Sequence, residues 1–172
     1  MINKIVRVLV YFGIFVLLQI LVLNNIHYLR IATPFLYVYC ILKLPVGMSR
    51  SSILIFSFLT GLLIDMFSNT PGMHAAACSL AGFLRDPLLV FLKGEDLPKG
   101  LYPSYHALGY AGFIRYMLLF VLIHHLALFL IEALTLFDPL FLFIRIAASV
   151  LTTSLLICVV ELFNFETQKI GE

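Results

Sequence analysis

The sequence predicts an all-α polytopic membrane protein, folded as a bundle of six transmembrane helices with short loops and both termini in the cytoplasm. Hydrophobic residues make up 62% of the 172 residues and charged residues only 12%, whereas soluble domains are about 45–50% apolar and about 25% charged. The apolar residues fall into successive runs, and a spanning helix needs about 20 of them. The length therefore accommodates one integral-membrane helical domain over residues 1–172, without a separate soluble domain.

Six apolar runs predict the six spans. The first lacks the small-residue cleavage pattern of a signal peptide, so we interpret it as an uncleaved span. The second begins with Pro34 in its first helical turn, where a missing N–H costs little. Arg85-Asp86-Pro87 interrupts the fourth, and residues 88–92 either continue it or lie along the interface. The predicted spans are residues 8–23, 31–46, 51–66, 71–84, 112–137 and 139–163.

The distribution of Lys and Arg predicts the orientation. Basic residues accumulate in the cytoplasmic loops of membrane proteins, and here nine lie on or near the side shared by the termini against two toward the other side. Both termini are therefore predicted to be cytoplasmic. The net charge of +2 is small and its basic residues are scattered, so we do not expect nucleic-acid binding. The nine are Lys4, Arg7, Lys43, Arg50, Arg85, Lys93, Lys99, Arg115 and Lys169, and the two are Arg30 and Arg145.

The third and fourth spans form the predicted centre of the bundle. Small or polar residues recur at spacings of four in both, which places them on one face of each helix. Such spacing lets membrane helices approach closely. A polar turn joins the two spans, so we predict a tightly packed helical hairpin. Its defining residues are Ser57, Gly61, Asp65, Pro71, Gly72, His74, Ala75, Ser79 and Gly82.

Asp65 lies one turn from the end of the third span. A carboxylate there needs a partner, because charged side chains are costly inside a membrane. One interpretation is an inward-facing coupling site. The other is a structural acid that accepts hydrogen bonds from backbone N–H groups of the following turn and of the fourth span. The structural interpretation predicts that Asp65→Asn preserves function and Asp65→Leu does not.

Three further charged residues need partners near the ends of the predicted spans. Arg145 follows Asp138 by seven residues, about 10 Å along a helix, so we expect it to extend outward or to pair with Asp138, Glu132 or Asp65. Arg85 and Asp86 form either a cytoplasmic docking feature or a pair that extends to the interface at a helix end.

His124-His125 lies near the middle of the fifth span. Two imidazoles could bind a metal or relay protons, but adjacent residues on a helix point about 100° apart. We therefore favour neutral histidines that hydrogen-bond between helices. Cysteines 40, 78 and 158 lie inside apolar runs without a close pair or metal-ligand spacing. We expect no metal, no cofactor and no catalytic site, and thus no enzyme.

The block Gly61-x-x-x-Asp65, followed by Asn69-Thr70-Pro71-Gly72-Met73-His74 and an alanine-rich helix, resembles the MreD family of bacterial rod shape-determining membrane proteins. The resemblance implies a non-enzymatic subunit of the cell-elongation machinery in the bacterial inner membrane. Its implied partners are the bitopic protein MreC and, through it, the actin-like MreB filament and the peptidoglycan synthases. The chain departs from the family pattern at Phe35, where many members carry an acidic residue.

The MreD family is also similar in fold to the substrate-binding membrane subunits of energy-coupling-factor vitamin transporters. The alternative function is therefore a small-molecule-binding subunit. Such subunits use an Ala-x-x-x-Ala pattern on the first span, which this chain lacks, and a polar, aromatic-lined outer pocket. The chain contains no Trp and few polar residues that would converge there. We therefore rank the transporter-subunit hypothesis second and the membrane-enzyme hypothesis last.

Overall fold

The computed structural model of the chain describes residues 2–21, 23, 32–94, 97–133 and 138–169, with side chains described from residue 12 to residue 163 within those ranges. The regular elements of this described part are helices. They are α1 (Ile2–Leu21), α2 (Val38–Leu42), α3 (Arg50–Ser68), α4 (Met73–Lys93), α5 (Tyr105–Leu108), α6 (Tyr110–Glu132) and α7 (Pro139–Lys169).

Four of these helices are long and apolar enough to cross a membrane: Arg50–Ser68, Met73–Lys93, Tyr110–Glu132 and Pro139–Phe163. A shorter apolar stretch, Phe12–Leu21, belongs to α1. Their outward faces carry large apolar side chains, among them Met66 and Phe91. Long apolar helices with apolar outer faces are typical of membrane proteins, so the predicted transmembrane character and all-helical class are supported.

The predicted second spanning helix, residues 31–46, is wrong. Residue 31 lies outside the described residues, and residues 33–37 are not helical. The helix α2 has only five residues, Val38–Leu42. We name residues 32–44 the buried segment, because the structure encloses most of their side chains.

The fourth span does not end at residue 84. The helix α4 continues through Pro87 to Lys93, so residues 88–92 extend it and do not lie along the interface as a separate segment. Asp138 Oδ1 accepts a hydrogen bond of 3.2 Å from the Phe141 N–H, and Pro139 opens α7. An acidic cap followed by proline is a favourable start for a helix.

The long helices pack in chain order. The helix α3 has its largest interface with α4, α4 packs on α6, and α6 packs on α7, whereas α1 lies against α3. The buried segment bonds to α1 and α7 and packs against α4 and α6, and it contributes a large share of the core. Its completely buried side chains include Tyr37, Val38, Ile41 and Leu42. The middle of the bundle is therefore filled by the chain itself.

Candidate functional site

The backbone of the buried segment is bound by polar side chains from the surrounding helices. The Thr33 N–H donates to Ser149 Oγ at 3.0 Å and the Phe35 N–H donates to Thr153 Oγ1 at 3.0 Å. From the other side, Gln19 Oε1 accepts from the Leu36 N–H at 2.8 Å, and Gln19 Nε2 donates to the Pro34 carbonyl at 3.0 Å. Non-helical backbone is tolerated at membrane depth only where its polar groups find such partners. Gln19, Ser149 and Thr153 thus bind the backbone of residues 33–36.

The far end of the segment is bound in the same manner. Tyr116 Oη donates to the Leu42 carbonyl at 3.1 Å, and the Arg85 guanidinium donates to the Leu44 carbonyl. These carbonyls lie at the C-terminal end of α2, where a helix leaves acceptors without intrahelical partners. Arg85 is completely buried and also pairs with Asp86 at 2.6 Å. The expectation that Arg85 extends to the interface is wrong, and its buried guanidinium is not part of a docking surface.

Successive residues of the segment contact successive turns of α7. Residues 33 and 35 bond to Ser149 and Thr153, and the Tyr39 hydroxyl donates to Glu161 Oε2 at 2.5 Å. Twelve helical residues separate Ser149 from Glu161, which is about 18 Å at 1.5 Å per residue. Residues 33–39 therefore contact a stretch of α7 about 18 Å long.

A closed cluster of aromatic and imidazole rings surrounds the start of the segment. Tyr37 Oη lies 2.6 Å from His74 Nδ1 and 3.0 Å from His124 Nε2. A hydroxyl has one hydrogen, so it donates to one ring and accepts from the other. Phe35 packs edge-on against His74, with ring centroids 5.3 Å apart. Phe35 is thus an apolar contact among three histidines, His74, His124 and His125.

His125 belongs to a second chain of hydrogen bonds. Thr153 Oγ1 accepts from Phe35, so its own hydrogen is available for His125 Nε2 at 3.2 Å. This leaves Nδ1 as the protonated nitrogen, which donates to the Val121 carbonyl at 2.8 Å. His124 and His125 are both completely buried. Their contacts are those of neutral histidines bonded between helices and to the segment.

Asp65 caps the start of α4. Its Oδ1 accepts from the His74 N–H at 2.9 Å and from Thr70 Oγ1 at 2.9 Å, and its Oδ2 accepts from the Ala75 N–H at 2.9 Å. These contacts match the structural interpretation of Asp65. They also revise its consequence, because both carboxylate oxygens are used and an asparagine offers only one acceptor oxygen.

The turn between α3 and α4 adopts the conformations that its residues favour. Asn69 ends α3 at φ 55°, and its N–H donates to the Asp65 carbonyl. Gly72 precedes α4 at φ 83°, a left-handed conformation that glycine adopts without steric cost. Pro71 lies between them and is exposed.

The helices α3 and α4 approach each other most closely at the small residues of the hairpin. A Cβ on Gly61 would lie 2.5 Å from Ala75 Cα, and one on Gly82 would lie 2.9 Å from Ser57 Cβ. Both distances are far shorter than van der Waals contact, so neither position has room for a side chain. Ser79 lies on the same helix and donates to the Ala75 carbonyl at 2.8 Å. The predicted small-residue packing therefore brings Ser57, Gly61, Ala75 and Gly82 together.

Arg145 pairs with Glu132 at 2.8 Å, one of the three partners that the sequence suggested. Its guanidinium carbon also lies 4.5 Å from the centroid of the Phe129 ring, within the range of a cation–π contact. The pair ties α6 to α7 near the end of the bundle that contains the α3–α4 turn. It does not reach the carboxylate of Asp65, which is occupied by backbone groups.

Sequence reasoning missed a second ion pair, at the opposite end. Lys43 Nζ lies 2.6 Å from Glu161 Oε1 and donates to the Pro103 carbonyl at 2.8 Å. Glu161 is only 3% exposed. An acid two residues before the end of the predicted sixth span was the available signal, but Lys43 could not be chosen as its partner while residues 31–46 were treated as a separate helix.

The described polar groups of the site mainly cap helices and bind the backbone of the buried segment. Within the part of the chain that the structure describes, no three His, Cys, Asp or Glu residues are arranged to hold a metal ion. Most described polar side chains of the core bond to backbone groups or to one another, whereas the buried hydroxyls of Ser57 and Ser154 have no hydrogen-bond partner. Comparison with protein-family models, curated proteins and solved structures finds no match to this chain.

Proposed function

We propose that the protein is a non-enzymatic membrane scaffold subunit of the bacterial cell-elongation complex, in the manner of the MreD family that its hairpin block resembles. In this proposal it resides in the inner membrane and binds an MreC-type bitopic protein. Through that partner it organises an MreB-type filament and the peptidoglycan synthases around one point of the membrane.

One observation carries the choice of a scaffold over a binding or catalytic subunit. The interior of the bundle, where a membrane subunit would enclose a small molecule, is occupied by residues 32–44 of the chain itself. Tyr37, Val38, Ile41 and Leu42 are completely buried there. A bundle whose centre is filled in this way interacts through its outer faces and its ends, which supports a role in holding partners.

The proposed topology has six crossings with both termini in the cytoplasm. The contacts of the buried segment with α7 support it, because residues 33 and 39 bond to Ser149 and Glu161, which lie about 18 Å apart along that helix. An external-only enzymatic reporter fused after Met48 or after Glu172 should be silent, and one fused after Asn69 should be active. Activity after Met48 would show that residues 32–44 do not cross.

The proposed function is tested by recovery of partners. The tagged full-length chain, purified in mild detergent, should recover an MreC-type protein together with elongation enzymes, and its depletion should make rod-shaped cells round. An unrelated polytopic membrane protein with the same tag is the matched control. Recovery of neither partner class above that control would contradict the scaffold proposal.

The alternative is a substrate-binding subunit that resembles those of energy-coupling-factor transporters. It predicts recovery of a module with paired ATPases in the same experiment, and a vitamin-sized molecule bound to the purified protein. The filled interior favours the scaffold, because such a molecule would have to displace buried core residues.

A further inference from the structure

Two cations lie next to each other where α4 ends and α6 begins. Lys93 lies across the first turn of α6, since a Cβ on Gly112 would be 2.7 Å from Lys93 Cε and 3.2 Å from Lys93 Nζ. Arg115 follows Gly112 by three residues, which places it on the same face of α6. Lys93 and Arg115 are both exposed. We name them the Lys93–Arg115 patch.

The described part of the chain supplies no anion for this patch. The ion pairs described there join Lys43 to Glu161, Arg85 to Asp86 and Arg145 to Glu132, so the carboxylates nearest this end of the bundle are already paired. Glu95 and Asp96 lie outside the described residues. Neighbouring like charges repel each other, and an external anion would relieve that repulsion.

The surface around the patch is apolar on one side and aromatic on the other. Val90, three residues before Lys93 and on the same face of α4, is 44% exposed, and Leu118, three residues after Arg115 and on the same face of α6, is 37% exposed. Tyr110 is 58% exposed and begins α6. Tyrosine rings concentrate at the level of lipid headgroups, so these residues place the patch at the boundary between hydrocarbon and water.

We propose that Lys93 and Arg115 bind the phosphodiester headgroup of an anionic phospholipid whose acyl chains lie against Val90 and Leu118. Lysine and arginine are the side chains that recognise phosphate oxygens. The neighbouring apolar side chains favour a lipid over a soluble phosphate, because only a lipid covers both parts of the surface. This inference is independent of the scaffold proposal.

The test uses the full-length protein in detergent, titrated with phosphatidylglycerol, phosphatidylcholine or inorganic phosphate and followed by native mass spectrometry. We expect preferential binding of phosphatidylglycerol. A basic residue near an anionic lipid surface contributes an affinity factor of about fivefold, so Lys93→Gln and Arg115→Gln should each weaken phosphatidylglycerol binding by about that factor. The charge-preserving pair Lys93→Arg with Arg115→Lys should retain it.

The matched control is Arg50→Gln with Lys99→Gln, which removes two exposed cations from the same end of the bundle but leaves the patch intact. These substitutions should change the Kd for phosphatidylglycerol less than the two substitutions in the patch. An equal loss of phosphatidylglycerol affinity in the patch variants and in the control would show non-specific electrostatic attraction, and it would overturn the proposed site. Equal affinity for phosphatidylcholine, or binding of inorganic phosphate with the same Kd, would overturn the lipid assignment.

Discussion

The α3–α4 hairpin and the buried segment lie against each other in one bundle, but different groups satisfy their backbones. In the hairpin the helices satisfy their own N–H and carbonyl groups, and Asp65 caps the N–H groups of His74 and Ala75 from nine and ten residues away. In the segment the partners are side chains more distant in sequence. Thr153, for example, lies 118 residues from Phe35.

The difference explains how each region tolerates the membrane interior. A helix needs only small residues on its contact face to pack closely, and Gly61 and Gly82 supply them. The non-helical residues of the buried segment need polar partners for their backbone groups, and Gln19, Ser149 and Thr153 supply them. The hairpin should therefore be most sensitive to added volume, and the segment to lost hydroxyl or amide groups.

The largest loss of stability is expected from larger side chains in the α3–α4 hairpin. Gly61→Leu and Gly82→Leu place side-chain atoms where Ala75 and Ser57 already lie. Overpacking typically costs about 1–3 kcal/mol, and collision with a backbone atom at Gly61 should exceed that range. We expect little folded protein for either variant. Gly13→Leu is the control, because no atom lies within 4 Å of a Cβ there; normal thermal stability of all three would contradict the close packing.

The second-largest loss of stability is expected at the C-terminal end of the buried segment. Lys43→Met leaves Glu161, 3% exposed, without its cation. Removing one partner of a buried ion pair costs about 3–5 kcal/mol, and unfolding in sodium dodecyl sulfate measures the loss. Lys99→Met, at an exposed lysine of the nearby loop, is the control. Equal stability of the two variants would mean that the Lys43–Glu161 pair does not stabilise the segment.

An intermediate effect is expected at the cap of the hairpin. Asp65→Leu removes the acceptor of two buried N–H groups, and each unsatisfied group costs about 1–3 kcal/mol, so a loss on the order of 3 kcal/mol is expected. Asp65→Asn should lose less, because one oxygen remains, but should not match the wild type. Equal loss of cell-shape function by both variants, with normal protein level and normal recovery of an MreC-type partner, would instead indicate a chemical role for the acid.

A smaller loss of stability is expected from Thr153→Val, and it should exceed the loss from the same substitution at the neighbouring Thr152. Thr153→Val removes the acceptor of the Phe35 N–H and the donor to His125, which should cost about 1–3 kcal/mol. Thr152→Val removes bonds only to carbonyls of its own helix and should change the unfolding free energy by less than about 0.5 kcal/mol. If the two variants unfold alike, the hydroxyl of Thr153 does not support the segment.

The sequence was sufficient for the hairpin because its signals are local. Spacings of four at Ser57, Gly61 and Asp65 and a glycine in the turn describe one helix pair without reference to the rest of the chain. The segment was mistaken for a helix because residues 35–44 are nearly all apolar, and periodicity cannot separate a buried extended stretch from a buried helix. The deciding groups, Gln19 and Thr153, looked like ordinary polar residues of other spans. The same error concealed the roles of Tyr37, Arg85 and Glu161, whose partners all depend on the path of the segment.

The smallest effect is expected for the ion pair between α6 and α7. Arg145 and Glu132 have side chains that are 25% and 41% exposed, so water screens their attraction, and such pairs contribute about 0–1 kcal/mol. The cation–π contact with Phe129 adds about 0.5–1 kcal/mol at an exposed site. Arg145→Gln should therefore destabilise the protein far less than Lys43→Met, although each substitution removes one cation from one ion pair. Stability in detergent at low and high salt measures the difference, since salt screens an exposed pair more than a buried one. If Arg145→Gln lowers the stability as much as Lys43→Met, the two ion pairs contribute equally. Burial of the carboxylate would then not determine how strongly each pair stabilises the protein.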